Sequence, residues 1–340
     1  MASHRRSARV TVLTAAAATA AAAFGAVPAH ADPDAAAPHT TRSPRATVDR
    51  LYEEAEKATE DYNRAGERAD RLRRTVSRAQ DRLARDQERV NLMRGALGAV
   101  AGAQYRSGGL DPALALLLSA NPDSYLQRAS VLDRVGARQR TALGELRGRL
   151  RRMAQERAEA GQALDELVHS RAEAARHKRL VEHKLAEARR VLGALSAADR
   201  AGYDRSSRSG RDAFGDLLPP LGDLGSSRAA AAVVAARGAI GRPYVWGATG
   251  PSSFDCSGLM VWSFRQAGIS LPRTAAAQRA AGRRIPLSQA QPGDLVTYRG
   301  DASHVAVYAG NGQVIHAPHP GARVRYDPVT MMSPVVVTRV

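Results

Sequence analysis

The chain has 340 residues, of which 50 are lysine or arginine, 33 are aspartate or glutamate and one is cysteine. This length suggests about two domains, and a single cysteine excludes an intramolecular disulfide framework and any multi-cysteine metal site. Only 4% of the residues are aromatic, so we expect part of the chain to fold without an ordinary globular core. The formal charge of +17 favours a polyanionic neighbour: nucleic acid, a membrane surface or an anionic cell wall.

The first 31 residues have the pattern of a secretory signal peptide. Three arginines stand before residue 10, an apolar stretch runs from Val10 to Val27, and Ala29-His30-Ala31 supplies a small-residue cleavage site. A membrane anchor is the alternative, but this stretch is shorter than the roughly 20 residues that a spanning helix needs. We therefore expect cleavage after Ala31 and a secreted, extracellular or cell-wall-associated protein, for which nucleic acid is not a partner.

A linker is predicted at 32–44, and residues 45–200 are predicted to form a helical coiled-coil hairpin. Apolar residues recur at two positions of a seven-residue repeat from Val48 to Val100, with charged residues between them and one departure at Asp86. A second repeat runs from Leu132 to Leu195. Such long apolar seams with charged flanks are typical of coiled coils.

The hairpin is predicted to carry a short helix at its tip, near 110–124. Glycines and a proline at 107–112 end the first helix, and residues 113–119 are too apolar for an exposed loop. This helix either closes the hairpin or forms a docking surface for a partner. Residues 201–226, rich in Gly, Ser, Asp and Pro, are predicted to form a second linker.

Residues 227–340 contain the candidate catalytic residues. Asp255 is a natural N-cap, which makes Cys256 the first residue of a helix. The positive end of a helix dipole lowers the pKa of a thiol and favours the reactive thiolate. The alternative is a small buried hydrophobic residue, but the helix start and the flanking glycines favour a nucleophile.

Two histidines follow on predicted strands. Asn311-Gly312 marks a tight turn between two β-rich segments, and His304 and His316 lie at comparable distances from it. They can therefore meet near one end of a sheet, where a thiol nucleophile could use a histidine base and an orienting partner. His319 is a rival third residue, but it lies beyond Pro318, off the strand.

Five short motifs of this region resemble those of the NlpC-type family of bacterial cell-wall cysteine peptidases. They are Pro243-Tyr244-Val245-Trp246-Gly247, Asp255-Cys256-Ser257-Gly258-Leu259, Pro292-Gly293-Asp294-Leu295-Val296, Ser303-His304-Val305-Ala306-Val307-Tyr308 and Val314-Ile315-His316-Ala317. The resemblance implies an α+β, papain-like domain with helices packed on an antiparallel sheet. It also implies cleavage of peptidoglycan stem peptides, usually between γ-D-glutamate and diaminopimelate.

The same resemblance implies roles for individual residues. Cys256 would be the nucleophile, His304 the base and His316 the residue that orients His304, with no metal or cofactor required. The substrate and oxyanion positions would be Tyr244, near the oxyanion; Asp255 and Ser257, which receive the stem peptide; and Arg273, which could contact a stem carboxylate.

The hairpin resembles the coiled-coil regions of division-linked members of this family. In those proteins the hairpin docks on the membrane complex FtsEX, and docking relieves inhibition of the peptidase. We therefore expect a regulatory arm whose tip, near Leu114–Leu118, binds an FtsEX-like complex, in addition to stem peptides and anionic wall polymers as partners.

Two other functions remain open at this point. One is a structural, cell-wall-binding coiled-coil protein with an inactive peptidase domain. The other is an amidase or acyltransferase on the same scaffold, which would cut or form a different bond.

Overall fold

The computed structural model of the protein describes residues 43–106, 114, 125–200 and 228–340. The predicted signal peptide, nearly all of the first linker and the second linker lie outside the described residues. So does the predicted tip, except for Leu114, which is helical and exposed. Within the described part of the chain, no helix combines the length and the apolar character needed to cross a membrane.

Two long helices form the N-terminal half: α1 spans Pro44–Arg106 and α2 spans Tyr125–Ala194. The two helices are antiparallel, as two ion pairs between them show. Glu54, near the start of α1, pairs with Lys184, near the end of α2. Arg68, farther along α1, pairs with Glu166, which comes earlier in α2. Apolar side chains of the two helices pack together at the end near Val48 and Ala188, where both residues are fully buried. This contact is the expected consequence of the apolar repeat.

Asp86, the polar departure in the first repeat, has a partner on the opposite helix. Nη1 of Arg149 donates a hydrogen bond to Oδ1 of Asp86 at 3.1 Å, and both side chains are about one quarter exposed. A charged residue in the seam is therefore paired across the hairpin, which is how such positions can specify register.

The C-terminal half is built from three helices and a sheet. The helices are α3 (Arg228–Gly238), α4 (Cys256–Gln266) and α5 (Ala275–Arg279). The strands are β1 (Arg283–Ile285), β2 (Leu295–Tyr298), β3 (His304–Gly310), β4 (Gln313–His316), β5 (Arg325–Pro328) and β6 (Val335–Arg339). Among the described residues they form one sheet of order β1-β6-β2-β3-β4-β5, and every neighbouring pair is antiparallel.

Both faces of this sheet are covered. Val305, Val307 and Ile315 belong to the core beneath α3 and α4, while Ala306 and Val314 belong to a second apolar cluster. Neighbouring residues of β3 therefore lie on opposite faces of the sheet, and both faces are buried. The expected α+β fold, with helices on an antiparallel sheet after long helices, is confirmed.

Candidate active site

Local structure at the start of α4 fixes the position of Cys256. Asp255 caps the helix as predicted: its Oδ1 accepts a hydrogen bond from the backbone N–H of Gly258 at 2.6 Å. A Cβ atom at Gly258 would lie 2.1 Å from the carbonyl oxygen of Ala248. Only glycine permits this close approach, which holds the helix start against the preceding loop.

The thiol of Cys256 is buried and lies 4.0 Å from the carbonyl oxygen of Ser303. Burial, followed by the negative charges of Glu60, Asp255 and Glu56, raises the pKa of this thiol well above its usual value. The expectation of a lowered pKa is therefore wrong for this structure. Burial is the largest cause and outweighs the helix dipole, and the three carboxylates add to it. Two of these carboxylates come from α1, which the local sequence around Cys256 does not show.

The two predicted histidines meet. Nε2 of His304 lies 2.8 Å from Nδ1 of His316, and both rings are almost completely buried. Nε2 of His316 then lies 2.7 Å from Oδ2 of Asp327, on β5. With Nε2 of His304 occupied in this way, Nδ1 is the ring nitrogen left to accept a proton.

His319, the rival third residue, does not join this chain of contacts. Its ring stacks on Tyr52 of α1 with centroids 4.6 Å apart, and its Nδ1 lies 3.0 Å from the carbonyl oxygen of Pro320. Burial lowers the pKa of His319. The structure therefore brings His316, and not His319, to the neighbour position beside His304.

The four other predicted site residues also gather at this place. Arg273 forms an ion pair with Asp255, and Nη1 of Arg273 donates to Oδ1 of Asp255 at 3.0 Å and to the Ser257 hydroxyl at 2.7 Å. Tyr244 is buried, and burial followed by the charges of Cys256 and nearby carboxylates raises the pKa of its phenol well above normal. In this structure the guanidinium of Arg273 is thus occupied by groups of its own domain.

One carboxylate of α1 faces the base. Oε1 of Glu56 lies 3.3 Å from Nδ1 of His304, and the Glu56 side chain is only 2% exposed. Neither atom has a well-aligned hydrogen bond among the described residues. The other oxygen, Oε2, accepts a hydrogen bond from Nη1 of Arg299 at 2.7 Å. Burial opposes ionisation of Glu56, but the charges and hydrogen bonds of His304 and Arg299 outweigh it and lower its pKa.

A second carboxylate of α1 faces the start of α4. The Ser257 hydroxyl donates to Oε1 of Glu60 at 2.6 Å, and the backbone N–H of Ala275 donates to Oε2 at 2.6 Å. Burial and the charge of Asp255 raise the pKa of Glu60 to about 7, against the lowering effects of the Ser257 and Ala275 bonds and of Arg273.

Further contacts extend this interface along α1. Nδ2 of Asn63 donates to Oδ2 of Asp255 at 3.4 Å, and the backbone N–H of Arg273 donates to Oε1 of Glu67 at 3.0 Å. Tyr62 packs edge-on against Trp246, with ring centroids 5.3 Å apart. Polar and aromatic side chains of one helix thus cover the site over several turns.

Sequence reasoning missed the residues that α1 contributes. Glu56, Glu60, Asn63 and Glu67 follow one another at steps of four, three and four, the spacing of one helix face. In a charged coiled coil this stripe is indistinguishable from an ordinary solvated face. Asp327 was also missed: it stands in a short strand without a recognisable motif.

The C-terminal half is similar to known proteins. Residues 241–338 match the model of the NlpC/P60 family. A probable endopeptidase of Mycobacterium tuberculosis is 43% identical over 109 residues, which are 32% of this chain and 28% of that protein. A probable endopeptidase of Corynebacterium glutamicum is 52% identical over 92 residues, 27% of this chain and 44% of that protein. The chain therefore spans less than half the length of these relatives.

A solved structure gives a similar result. The NlpC/p60 domain of the peptidoglycan hydrolase SagA is 39% identical, with 33% of this chain and 98% of that chain covered and a TM-score of 0.31. All these alignments cover about a third of the chain or less. The C-terminal region, residues 241–338, therefore matches the NlpC/P60 family, and this match covers less than a third of the chain.

Proposed function

We propose that the protein is an exported peptidoglycan endopeptidase that acts through a thiol, and that α1 holds it in an inactive state. The observation that carries the enzymatic part is the placement of Cys256 at a helix start, with its thiol 4.0 Å from the carbonyl oxygen of Ser303, the residue before His304, within a domain that matches the NlpC/P60 family. The relatives named above are probable endopeptidases, which supports the same reaction class.

In the proposed reaction His304 is the base and Cys256 the nucleophile. Nδ1 of His304 takes the thiol proton, and the sulfur forms a bond to the scissile carbonyl carbon. Backbone N–H groups at the start of α4, with the Tyr244 hydroxyl, stabilise the oxyanion. The carbon–nitrogen bond then breaks as the amine takes the imidazolium proton. Water, deprotonated by His304, adds to the acyl carbon and releases the thiol and a carboxylic acid.

The proposed substrate is the stem peptide of peptidoglycan, cut at the γ-D-glutamyl–diaminopimelate bond. This substrate carries free carboxylates, and the site offers donors that now bind carboxylates of α1: the Ser257 hydroxyl, the Ala275 N–H and the Arg299 guanidinium. Asp255 could receive an amino group of the peptide once Asn63 leaves. The net charge of +17 suits an anionic wall.

The proposed inhibition has two physical causes. Glu56 faces Nδ1 of His304, the nitrogen that the reaction needs, and attracts positive charge there before any thiol proton has been transferred. Glu56 and Glu60 also disfavour the Cys256 thiolate by like-charge repulsion. The covered site can therefore neither admit a substrate nor ionise its nucleophile.

Release of the arm is proposed to come from an FtsEX-like membrane complex at the tip. From Glu56 to Arg106, α1 is one uninterrupted helix, which spans about 75 Å at 1.5 Å per residue. A continuous helix of this kind can carry a displacement from the tip region to the buried glutamates. Export through the signal peptide would place the protein outside the cytoplasm, at the wall.

Digestion of purified peptidoglycan tests the enzymatic proposal. The arm-released variant Glu56→Ala/Glu60→Ala should yield new muropeptides, and addition of Cys256→Ala should abolish them. Mass spectrometry of the products names the cut bond and so separates an endopeptidase from an amidase or acyltransferase. Absence of products from the arm-released variant would favour a structural wall-binding protein.

A further inference from the structure

We infer that Asp327 is a positioning residue for the proposed reaction: it fixes the proton of His316 on Nε2 and thereby leaves Nδ1 of His304 free to act as the base. This inference rests on the proposed thiol mechanism. It adds a fourth member, from β5, to the set of Cys256, His304 and His316. Asp327 touches neither the thiol nor the scissile bond and acts through two imidazole rings.

Asp327, His316 and His304 form a chain of two contacts. Oδ2 of Asp327 lies 2.7 Å from Nε2 of His316, and Nδ1 of His316 lies 2.8 Å from Nε2 of His304. Both distances are those of well-formed hydrogen bonds. Each of the two contacts therefore needs one donor and one acceptor, and a neutral imidazole offers one of each.

Only one arrangement of protons satisfies both hydrogen bonds when both rings are neutral and Asp327 is ionised. A carboxylate only accepts, so Nε2 of His316 must donate to it and Nδ1 of His316 must be an acceptor. Nε2 of His304 must then donate to that acceptor, which leaves Nδ1 of His304 without a proton once Glu56 no longer faces it. This is the nitrogen that takes the proton of Cys256 in the proposed reaction.

The surroundings support these charge states. Nε of Arg325 donates to the same Oδ2 of Asp327 at 2.8 Å. Burial acts to raise the pKa of Asp327, but the hydrogen bond and charge of His316 and the charge of Arg325 outweigh it and lower the pKa. Burial lowers the pKa of His316 to about 4, which keeps this ring neutral at neutral pH.

The sheet explains why these groups meet. In the β4–β5 pair, His316 is opposite Arg325 and Val314 is opposite Asp327, so Asp327 and Arg325 share a face with His316. Tyr298 of β2 also faces the group: burial and the charge of Asp327 raise its pKa, and its ring centroid is 5.9 Å from that of His304. Among the described residues, the ionisable groups that face this chain of contacts therefore include Arg325, Tyr298 and Glu56, whose Oε1 lies 3.3 Å from Nδ1 of His304.

Asp327 also stabilises the positive charge that His304 gains during the reaction, through the same two hydrogen bonds. When His304 takes the thiol proton it becomes positive, and the anionic charge of Asp327 favours this imidazolium across the neutral His316 ring. Loss of the charge should therefore reduce the rate of the chemical step more than substrate binding.

Nitrogen-15 NMR of histidine-labelled full-length protein tests the proton positions without any assumption about activity. His316 should show the Nε2-protonated tautomer, with a downfield Nε2 proton. In Asp327→Asn, that proton should move upfield, because an amide is a weaker acceptor than a carboxylate. Asp294→Asn is the matched control, since Asp294 is also paired with an arginine, Arg339, but away from the histidines; it should leave the signal unchanged.

An Nδ1-protonated His316 in the unmodified protein would overturn the inference, as would an unshifted proton in Asp327→Asn. Because this measurement needs no substrate, it decides the tautomer even if the chain cleaves no peptidoglycan. A failure of the proposed function is thereby distinguished from a failure of this inference.

Kinetic measurements in the Glu56→Ala/Glu60→Ala variant test the predicted effect of Asp327 on the reaction rate. Asp327→Asn should lower kcat by about 10- to 100-fold, the loss that follows removal of the groups that orient metal-bound histidines, with little change in KM. Asp327→Glu should recover part of kcat. If Asp327→Asn matches Asp294→Asn in kcat and in KM, the positioning role is wrong.

Discussion

The hydroxyl of Ser257 donates a hydrogen bond of 2.6 Å to the carboxylate of Glu60, although 197 positions separate the two residues. Ser257 directly follows the cysteine of the site, and Glu60 lies on the long helix α1. The state of the site is therefore coupled to the position of this helix. Three consequences of this coupling can be measured, and a fourth prediction concerns the start of α4.

Removal of the two buried carboxylates of α1 should activate the protein. In Glu56→Ala/Glu60→Ala the ion pairs and hydrogen bonds to His304, Arg299, Ser257 and Ala275 are lost, so the site should open and peptidoglycan turnover should rise at least about tenfold. Losing a buried, paired charge typically costs 3–5 kcal/mol of interaction, far more than an exposed one. Dye release from labelled peptidoglycan measures the effect.

The matched control is Glu88→Ala, which removes an exposed glutamate farther along the same helix and should leave turnover unchanged. Equal turnover of the unmodified chain and the double variant would contradict inhibition by α1.

The reactivity of Cys256 should change in the same variant. Burial and the charges of Glu60, Asp255 and Glu56 raise the pKa of its thiol in the covered site, and two of these three charges are then gone. The midpoint of the alkylation rate against pH should move down by at least about one unit, whereas access alone would change the rate and not the midpoint. Iodoacetamide labelling followed by mass spectrometry gives this profile. A midpoint shared with Glu88→Ala would refute the electrostatic part of the inhibition.

Inhibition should weaken as pH rises from about 5 to about 7. The pKa of Glu60 is raised from its ordinary 4.5 to about 7 when α1 is docked, so the docked state binds the extra proton and its stability is lost as that proton dissociates. Glu56 has the opposite effect on docking. Because its pKa is lowered in the docked state, Glu56 stabilises docking above its ordinary pKa of 4.5, and this stabilisation is lost only at lower pH. Asp255 and Arg273 also face Glu60, with opposing charges.

The quantity to measure is the turnover of the unmodified chain divided by that of Glu56→Ala/Glu60→Ala at each pH, which cancels the pH dependence of the chemistry. The ratio should increase at least about tenfold across the range, since one pKa unit corresponds to tenfold. In Glu60→Gln the ratio should stay low and flat, because the amide copies the protonated acid. A ratio that falls with pH would show that Glu60 does not govern docking.

Gly258→Ala should destabilise the C-terminal domain. The added Cβ would lie 2.1 Å from the Ala248 carbonyl oxygen, a backbone atom that cannot move aside easily, and overpacking of this kind costs about 1–3 kcal/mol. Thermal unfolding measures the loss. Gly238→Ala is the control, because nothing lies within 4 Å of its added Cβ. Equal melting temperatures would show that the helix start tolerates displacement.

The sequence by itself determined the features that depend on local chemistry. Asp255 as N-cap, Cys256 as the first helical residue and the turn at Asn311-Gly312 follow from capping and turn preferences, which act within a few residues. The same holds for the two long helices, which the repeat of apolar residues predicts. His304 and His316 could be paired because a hairpin relates residues at similar distances from its turn.

Only the tertiary structure decided the properties that depend on residues far apart in the chain. Glu60 and Glu56 look like members of a solvated stripe until α1 is placed on the site, and Asp327 gains its contact with His316 only through the register of β5 on β4. The direction of the Cys256 pKa shift reversed for the same reason. Burial and charge–charge distances arise from packing between segments up to about 250 positions apart, as for Glu56 and Arg299, and local patterns in the sequence carry no record of them.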